Sequence, residues 1–391
     1  MEPTTTPEER LLEREDVRIH GAPGAEYGYV PRVILVDDRD LDLVAGALAK
    51  AGAQKAKESG VEGIARFELD DPDADVPAVV ARLRASSAER TPRVGPAHVL
   101  FGFPRMRGMP GDDAEPAPAL GDPPEGKELP GAGVTIVVID TGLDDAARQN
   151  PWLRDVEADD PADIDLTVDL VPQDGLIDDQ AGHAAFVAAL IRQDAPGAKV
   201  RVIRALDTQG VTEELAVAKA IDRAAGFGAD IINLSLGGYT DGDAAPLAIT
   251  AALARLPRTT AVVVAAGNFG SSRPTWPAAS KRVVSVGAVD AKGSRAAFSN
   301  WGWWVDVCAE GVGLHSVYVS GDENPALDRT SPDTFDGHAF WSGTSFSCPK
   351  VSARIAVDMA RDGISGRAAA HRLLEDPSAA EVPGVGLLVT T

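Results

Sequence analysis

The chain has 391 residues, 44% of them hydrophobic, and a formal charge of −22. That length suits two or three domains with one large core, and the charge argues against nucleic acid and anionic membrane as partners, since both repel it. No apolar run reaches the roughly 20 residues of a membrane-spanning helix.

Residues 1–30 open with MEPTTTPEER and read as a flexible tail. No basic segment followed by an apolar run is visible there, so no secretory signal is read and a cytoplasmic location is expected. Strands are predicted at Val33 to Val36 and Ile64 to Leu69, and helices at Asp40 to Ala51 and Val76 to Arg84. A last strand is read at His98 to Phe103. This β-α-β-α-β order over residues 31–103 predicts a small α/β domain of ferredoxin-like type. Residues 104–130 carry seven prolines and read as an extended linker. Gly121 to Lys127 has the look of a phosphate-binding loop, but Glu128 stands where Ser or Thr is needed and no strand precedes it.

The chemistry lies in residues 131–391. VTIVVIDTGLDD at 134–145 reads as a buried parallel strand that ends at Asp140. A carboxylate closing such a strand lies at the carboxyl edge of a sheet, where ligands bind in open α/β folds. In DDQAGHAAFVAALI at 178–191, Gly182 breaks the loop and His183 falls in the first turn of an apolar helix. The other five histidines form no pair at metal-ligand spacing, so no metal site is read. VVVAAGN at 262–268 is another buried strand, ending in small residues and the carboxamide of Asn268, which can donate to a developing oxyanion. SGTSFSCP at 342–349 sets Ser345 at the head of a helix-periodic run, where free N–H groups and the positive end of the helix dipole favour a nucleophile.

Asp140, His183, Asn268 and Ser345, in that order, resemble the subtilisin-like serine peptidases (subtilases), together with INLSLGG at 232–238, VGAVD at 286–290 and FSNWG at 298–302. The resemblance implies a three-layer α/β fold around a mainly parallel sheet. It also implies a serine endopeptidase acting on polypeptides without a cofactor. Ser345 would be the nucleophile, His183 the general base, Asp140 its orienting acid and Asn268 an oxyanion donor. Ser235, Leu236, Gly237, Ala265, Ala266 and Gly267 would line the substrate as strand edges, and Thr275 would shorten the pocket for the residue before the cut. Residues 31–103 would be either a pro-region, with processing in the linker, or a plain accessory domain.

Departures from the family are equally readable. Ala184-Ala185 replace the usual Gly-Thr after the histidine, which predicts an intact helix start and lowered activity. That change leaves open a peptidase-like protein that holds peptides without cutting them. RQDAPGA at 192–198 is too short for the calcium-binding loop of secreted relatives, so no calcium site is expected there. Ser316 to Phe340, with Asp322, Glu323, Asp328, Asp333 and Asp336, reads as a long solvated acidic loop, with an acidic rim that selects basic substrates or partners as the alternative. Cys308 and Cys348 fit buried thiols in a reducing compartment, and Cys348 falls inside the Ser345 helix rather than at its head.

Overall fold

The computed structural model describes residues 14–102, 114–126, 128–158, 175–323 and 333–390. In chain order, the first half of the elements comprises β1 (Arg18–His20), β2 (Tyr27–Asp37), α1 (Leu41–Lys50), β3 (Ala53–Lys55), β4 (Ile64–Leu69), α2 (Val76–Arg84), β5 (Val94–Phe101), β6 (Glu115–Pro116), β7 (Thr135–Asp140), β8 (Glu157–Ala158), α3 (His183–Asp194) and β9 (Lys199–Arg204). Then come β10 (Val211–Glu213), α4 (Glu214–Gly226), β11 (Ile231–Leu234), α5 (Leu247–Arg255), β12 (Ala261–Ala265), β13 (Val284–Val289), β14 (Val307–Glu310), β15 (Leu314–Asp322), β16 (Thr334–Trp341), α6 (Thr344–Asp362), α7 (Gly366–Leu374), β17 (Glu381–Val382) and β18 (Gly386–Leu388). The chain divides into two compact units.

The first unit takes Met1–Leu100, Thr212–Asp222 and Gly238–Leu256. Its sheet is antiparallel, in the order β5-β2-β4-β3, with β1 folded back on β2. With α1 and α2 this makes a β-α-β-β-α-β arrangement of ferredoxin-like type, one strand more than the sequence pattern predicts. The extra strand, β3, reads AQK and has no apolar alternation; its pairing with β4 defines it. Part of the predicted tail is also structured, since β1 pairs with β2 and Val17 and Tyr27 are buried. Ile34, Val44, Leu48, Phe67, Val80 and Leu83 close the core between sheet and helices. The buried Asp40 is clamped by Arg90 and Arg93, whose guanidinium hydrogen bonds hold its carboxyl far below the usual range. Glu214, also fully buried, accepts from the main-chain N–H and ring Nδ1 of His98 (3.1 and 2.9 Å) and from Ala248 N–H (3.1 Å), so its carboxylate ties β5 to the first turn of α5.

The second unit takes Phe101–Val211, Arg223–Gly237 and Pro257–Thr391. Its nine-stranded sheet runs β17-β18-β14-β13-β12-β11-β7-β9-β8 and is parallel except at the β17–β18 edge. Continuous runs of Val, Ile and Ala, such as TIVVID and AVVVA, suit strands covered on both faces. Helix α3 is apolar all round and lies within the core. Helix α6 packs beside it, contributing Phe346, Val351, Ile355 and Ala356.

The expectation of a solvated loop over Ser316 to Phe340 is corrected by β15 and β16, which form an antiparallel hairpin with Leu314 opposite Trp341 and Asp322 opposite Thr334. Val317, Tyr318, Val319, Phe335 and Trp341 point into the core beneath Phe186 and Phe346. Asp328 of that stretch lies outside the described residues. Part of the linker is structured as well, since Glu115–Pro116 form β6 on the free edge of β16. Among the described residues no helix is long and apolar enough to cross a membrane, and no cluster of His, Cys, Asp and Glu could hold a metal ion. At the end of α3, Asp194 is ion-paired to Lys350 at 2.9 Å.

Candidate active site

Strands β7, β11 and β12 are neighbours in the parallel sheet, and each delivers a functional group at its carboxyl end. Asp140 ends β7, Ser235 follows β11, and Asn268 stands three residues beyond β12. Helices α3 and α6 bring His183 and Ser345 to the same place, so the structure gathers all four residues singled out in the sequence.

His183 is the first residue of α3, capped by Gly182 with φ 81°. A side chain at Gly182 would be strained at that φ and would sit 3.0–3.1 Å from Val319 and Tyr318. His183 Nδ1 donates to Asp140 Oδ1 at 2.7 Å, leaving Nε2 as the basic nitrogen. The same Oδ1 accepts from Thr141 N–H (2.8 Å), while the buried Oδ2 has no hydrogen-bond partner among the described residues. Thr141 Oγ1 in turn accepts from Ala184 N–H (3.2 Å), one of the orphan donors at the helix start. Around the imidazole stand Trp341, edge to face at 5.6 Å, and Phe346 at 5.4 Å. Both Ala184 and Ala185 are buried in the core, as a helix start filled with alanine requires.

Ser345 is the second residue of α6. Pro349 lies four residues on and has no N–H, so the Ser345 carbonyl lacks its helical donor. The Ser235 hydroxyl supplies that donor at 2.8 Å, and itself accepts from Asn233 Nδ2 at 3.0 Å. Asn233 Oδ1 accepts from Ser352 Oγ (2.8 Å) and Cys348 Sγ (3.2 Å), which completes a buried polar chain between β11 and α6. The Ser345 hydroxyl donates to the Ser235 carbonyl at 3.3 Å. Burial pushes the Cys348 thiol well above its usual value, so it stays protonated and is no competing nucleophile.

The carboxamide of Asn268 is fixed through its oxygen, which accepts from Thr344 N–H (2.9 Å) and Thr344 Oγ1 (2.8 Å). Its Nδ2 remains as a donor. Thr344 Oγ1 also accepts from Gly267 N–H at 3.0 Å, so one hydroxyl sets the loop and the amide together. Gly343 permits the approach, because a Cβ there would lie 3.2 Å from Asn268 Nδ2.

The two predicted substrate-lining segments differ. Gly237 already pairs with an extended segment: Phe101 and Gly237 exchange both main-chain hydrogen bonds at 2.9 Å, antiparallel, and Gly102 N–H donates to the Gly210 carbonyl at 2.8 Å. Ser235 and Leu236, in the same segment, are buried. Ala265 and Ala266 are fully buried, and every main-chain group of Ala266 and Gly267 has an internal partner in Val286, Thr275, Asn300 or Thr344. They can form a wall but offer no edge for an added strand, which corrects that expectation. The Thr275 hydroxyl is turned onto the Ala266 carbonyl at 2.7 Å and is fully buried.

Fold and site together have the arrangement of the subtilisin-like serine peptidases. Residues 131–378, more than half of the chain, match the Subtilase family, and the chain belongs to it. It is 35% identical over 235 residues to the thermophilic serine proteinase of Bacillus sp. (strain AK1), covering 58% of this chain and 52% of that protein. It is 31% identical over 260 residues to thermitase of Thermoactinomyces vulgaris, covering 60% of this chain and 84% of that protein. The chain thus spans about half the length of the first relative. Among solved structures it is similar to a cold adapted subtilisin-like serine proteinase, with a TM-score of 0.50 and 25% identity over 71% of this chain and 94% of that one.

Proposed function

We propose that the protein hydrolyses peptide bonds through Asp140, His183 and Ser345. The observation that carries this reading is the 2.7 Å contact of His183 Nδ1 with Asp140, which leaves Nε2 as the base beside the helix whose second residue is Ser345. The Ser345 hydroxyl turns from the Ser235 carbonyl to Nε2 and gives up its proton as its oxygen attacks the scissile carbonyl. Asn268 Nδ2 and the Ser345 main-chain N–H stabilise the resulting oxyanion. His183 then protonates the leaving amine, an acyl-enzyme forms on Ser345, and water reverses the sequence to free the acid. Asp140 keeps the imidazole in the right tautomer and stabilises its charged form.

The Phe101–Gly237 pairing supports a latent form in which the chain's own residues take the edge where a substrate would pair, and self-processing follows as the route out of it. Cleavage in the linker would fall partly in residues 103–113, outside the described residues. Labelling by a fluorophosphonate tests the activity: label on the wild type and none on Ser345→Ala supports it. Wild-type protein that stays unlabelled even after removal of the N-terminal region leaves a peptide-holding protein instead. Intact mass of wild type beside Ser345→Ala tests self-processing, and a cut that persists in the variant rules it out.

A further inference from the structure

The amine leaves on the side of His183, because the imidazole that takes the hydroxyl proton must deliver it to the departing nitrogen. On that side stands Trp341, edge to face with the imidazole and the last residue of β16. The part of a substrate that follows the cleaved bond would therefore run over the end of β16, where Trp341 itself is buried, and meet the edge of that strand. A bare edge would offer main-chain groups for an extended peptide to pair with.

That edge is not bare. One side of β16 is paired with β15, and the other takes β6, with Pro116 opposite Ala339 and Glu115 opposite Phe340. Ala117 N–H continues the pairing onto the His338 carbonyl at 3.2 Å. A two-residue strand would not persist alone, and here it is pinned at both ends. Ala114 is fully buried in the main core and Leu120 packs against it. His315 Nε2 donates to the Pro118 carbonyl at 2.8 Å, and Trp152 Nε1 donates to the Gly121 carbonyl at 2.7 Å. Since Ala117 N–H faces β16, the residues either side would turn their N–H groups outward in a regular strand. Both are prolines, Pro116 and Pro118, which have no N–H to offer. The segment fills the β16 edge and presents a blunt one in its place.

We propose that residues 114–121 are a built-in stop on the leaving side of the site, and that this enzyme favours substrates in which roughly three or fewer extended residues follow the cleaved bond. It would release short C-terminal pieces and act poorly in the middle of long extended segments. The inference rests on the peptidase reading above.

The test begins with fluorophosphonate titration to count working sites. It then compares kcat/KM over peptides that share one acyl side and carry progressively longer leaving sides. A fall of about tenfold or more from short to long peptides is expected, since a long leaving side must displace one or two main-chain hydrogen bonds. Ala117→Pro, which removes the donor to His338, and separately Trp152→Phe, which removes the donor to Gly121, should restore the long peptides and leave the short ones unchanged. A flat length profile in titrated wild type overturns the stop, and so do variants that lose activity equally at every length. Absence of labelling instead overturns the peptidase reading, and the stop with it.

Discussion

Ser345 and His183 are held by different forces. Behind Ser345 lies a buried chain of hydrogen bonds, Ser352 and Cys348 to Asn233, Asn233 to Ser235, and Ser235 to the Ser345 carbonyl, with Thr344 fixing Asn268 beside it. Around His183 there are rings, Trp341 and Phe346, and a single hydrogen bond to Asp140. Hydrogen bonds set direction, which a nucleophile and an oxyanion donor need; apolar rings set position and exclude water while leaving the imidazole free to gain and lose a proton. The nucleophile side should therefore respond to single polar atoms, and the base side to its one carboxylate and hardly at all to changes of shape.

The largest effect expected is on the base side. Asp140→Asn keeps the shape but puts an amide that can donate where an acceptor-only carboxylate fixed the Nδ1–H tautomer, and turnover should fall by about 10⁴, the size found for this change in a serine peptidase. A fall of less than tenfold would mean that the rings alone orient His183. Next comes Asn268→Ala, which removes the proposed side-chain donor to the oxyanion and should lower kcat by about 10²–10³ with KM little changed. A matching rise in KM instead would show that Asn268 binds substrate rather than the transition state.

The same contrast explains how far the sequence could be read. Asp140, His183, Asn268 and Ser345 are visible because each lies at, or within three residues of, the end of an element whose period is plain from its own residues. Asn233 was inside a matched segment and acquired no role. Its signal was a carboxamide in a strand of otherwise apolar residues, which must find partners when buried. Those partners, Ser352 and Cys348, are more than a hundred positions away. Thr344 lies in a turn of small residues, where nothing in the sequence distinguishes its hydroxyl. The β15–β16 hairpin read as a loop because Gly321, Gly337 and acids interrupt its alternation. What makes it a hairpin is the packing of Tyr318, Phe335 and Trp341 on Phe186 and Phe346.

Thr344→Val sharpens the nucleophile side. It keeps the volume but deletes the hydroxyl that donates to Asn268 Oδ1 and accepts from Gly267 N–H. The Thr344 N–H still holds Asn268, so the amide loses precision rather than place. A decrease of about tenfold in kcat is expected, one hydrogen bond's worth. Thr344→Ser should recover most of it, which a purely packing role would not allow.

The smallest effect expected comes from restoring the family's usual pair with Ala184→Gly and Ala185→Thr. The unusual alanines invite the idea that the base side is impaired, yet the polar contact that orders the helix start is a main-chain one, Ala184 N–H to Thr141 Oγ1, and neither methyl contributes to it. Both positions are buried among apolar neighbours. The glycine adds backbone entropy and the threonine brings a hydroxyl into the core, so the double variant should lose about 1–3 kcal/mol of stability in denaturant titration. Its kcat/KM, normalised to titrated sites, should stay within about threefold of wild type, because Asp140, the rings and Nε2 are untouched. A gain of tenfold or more would break the comparison: shape at the helix start, and not only the carboxylate, would then limit the base.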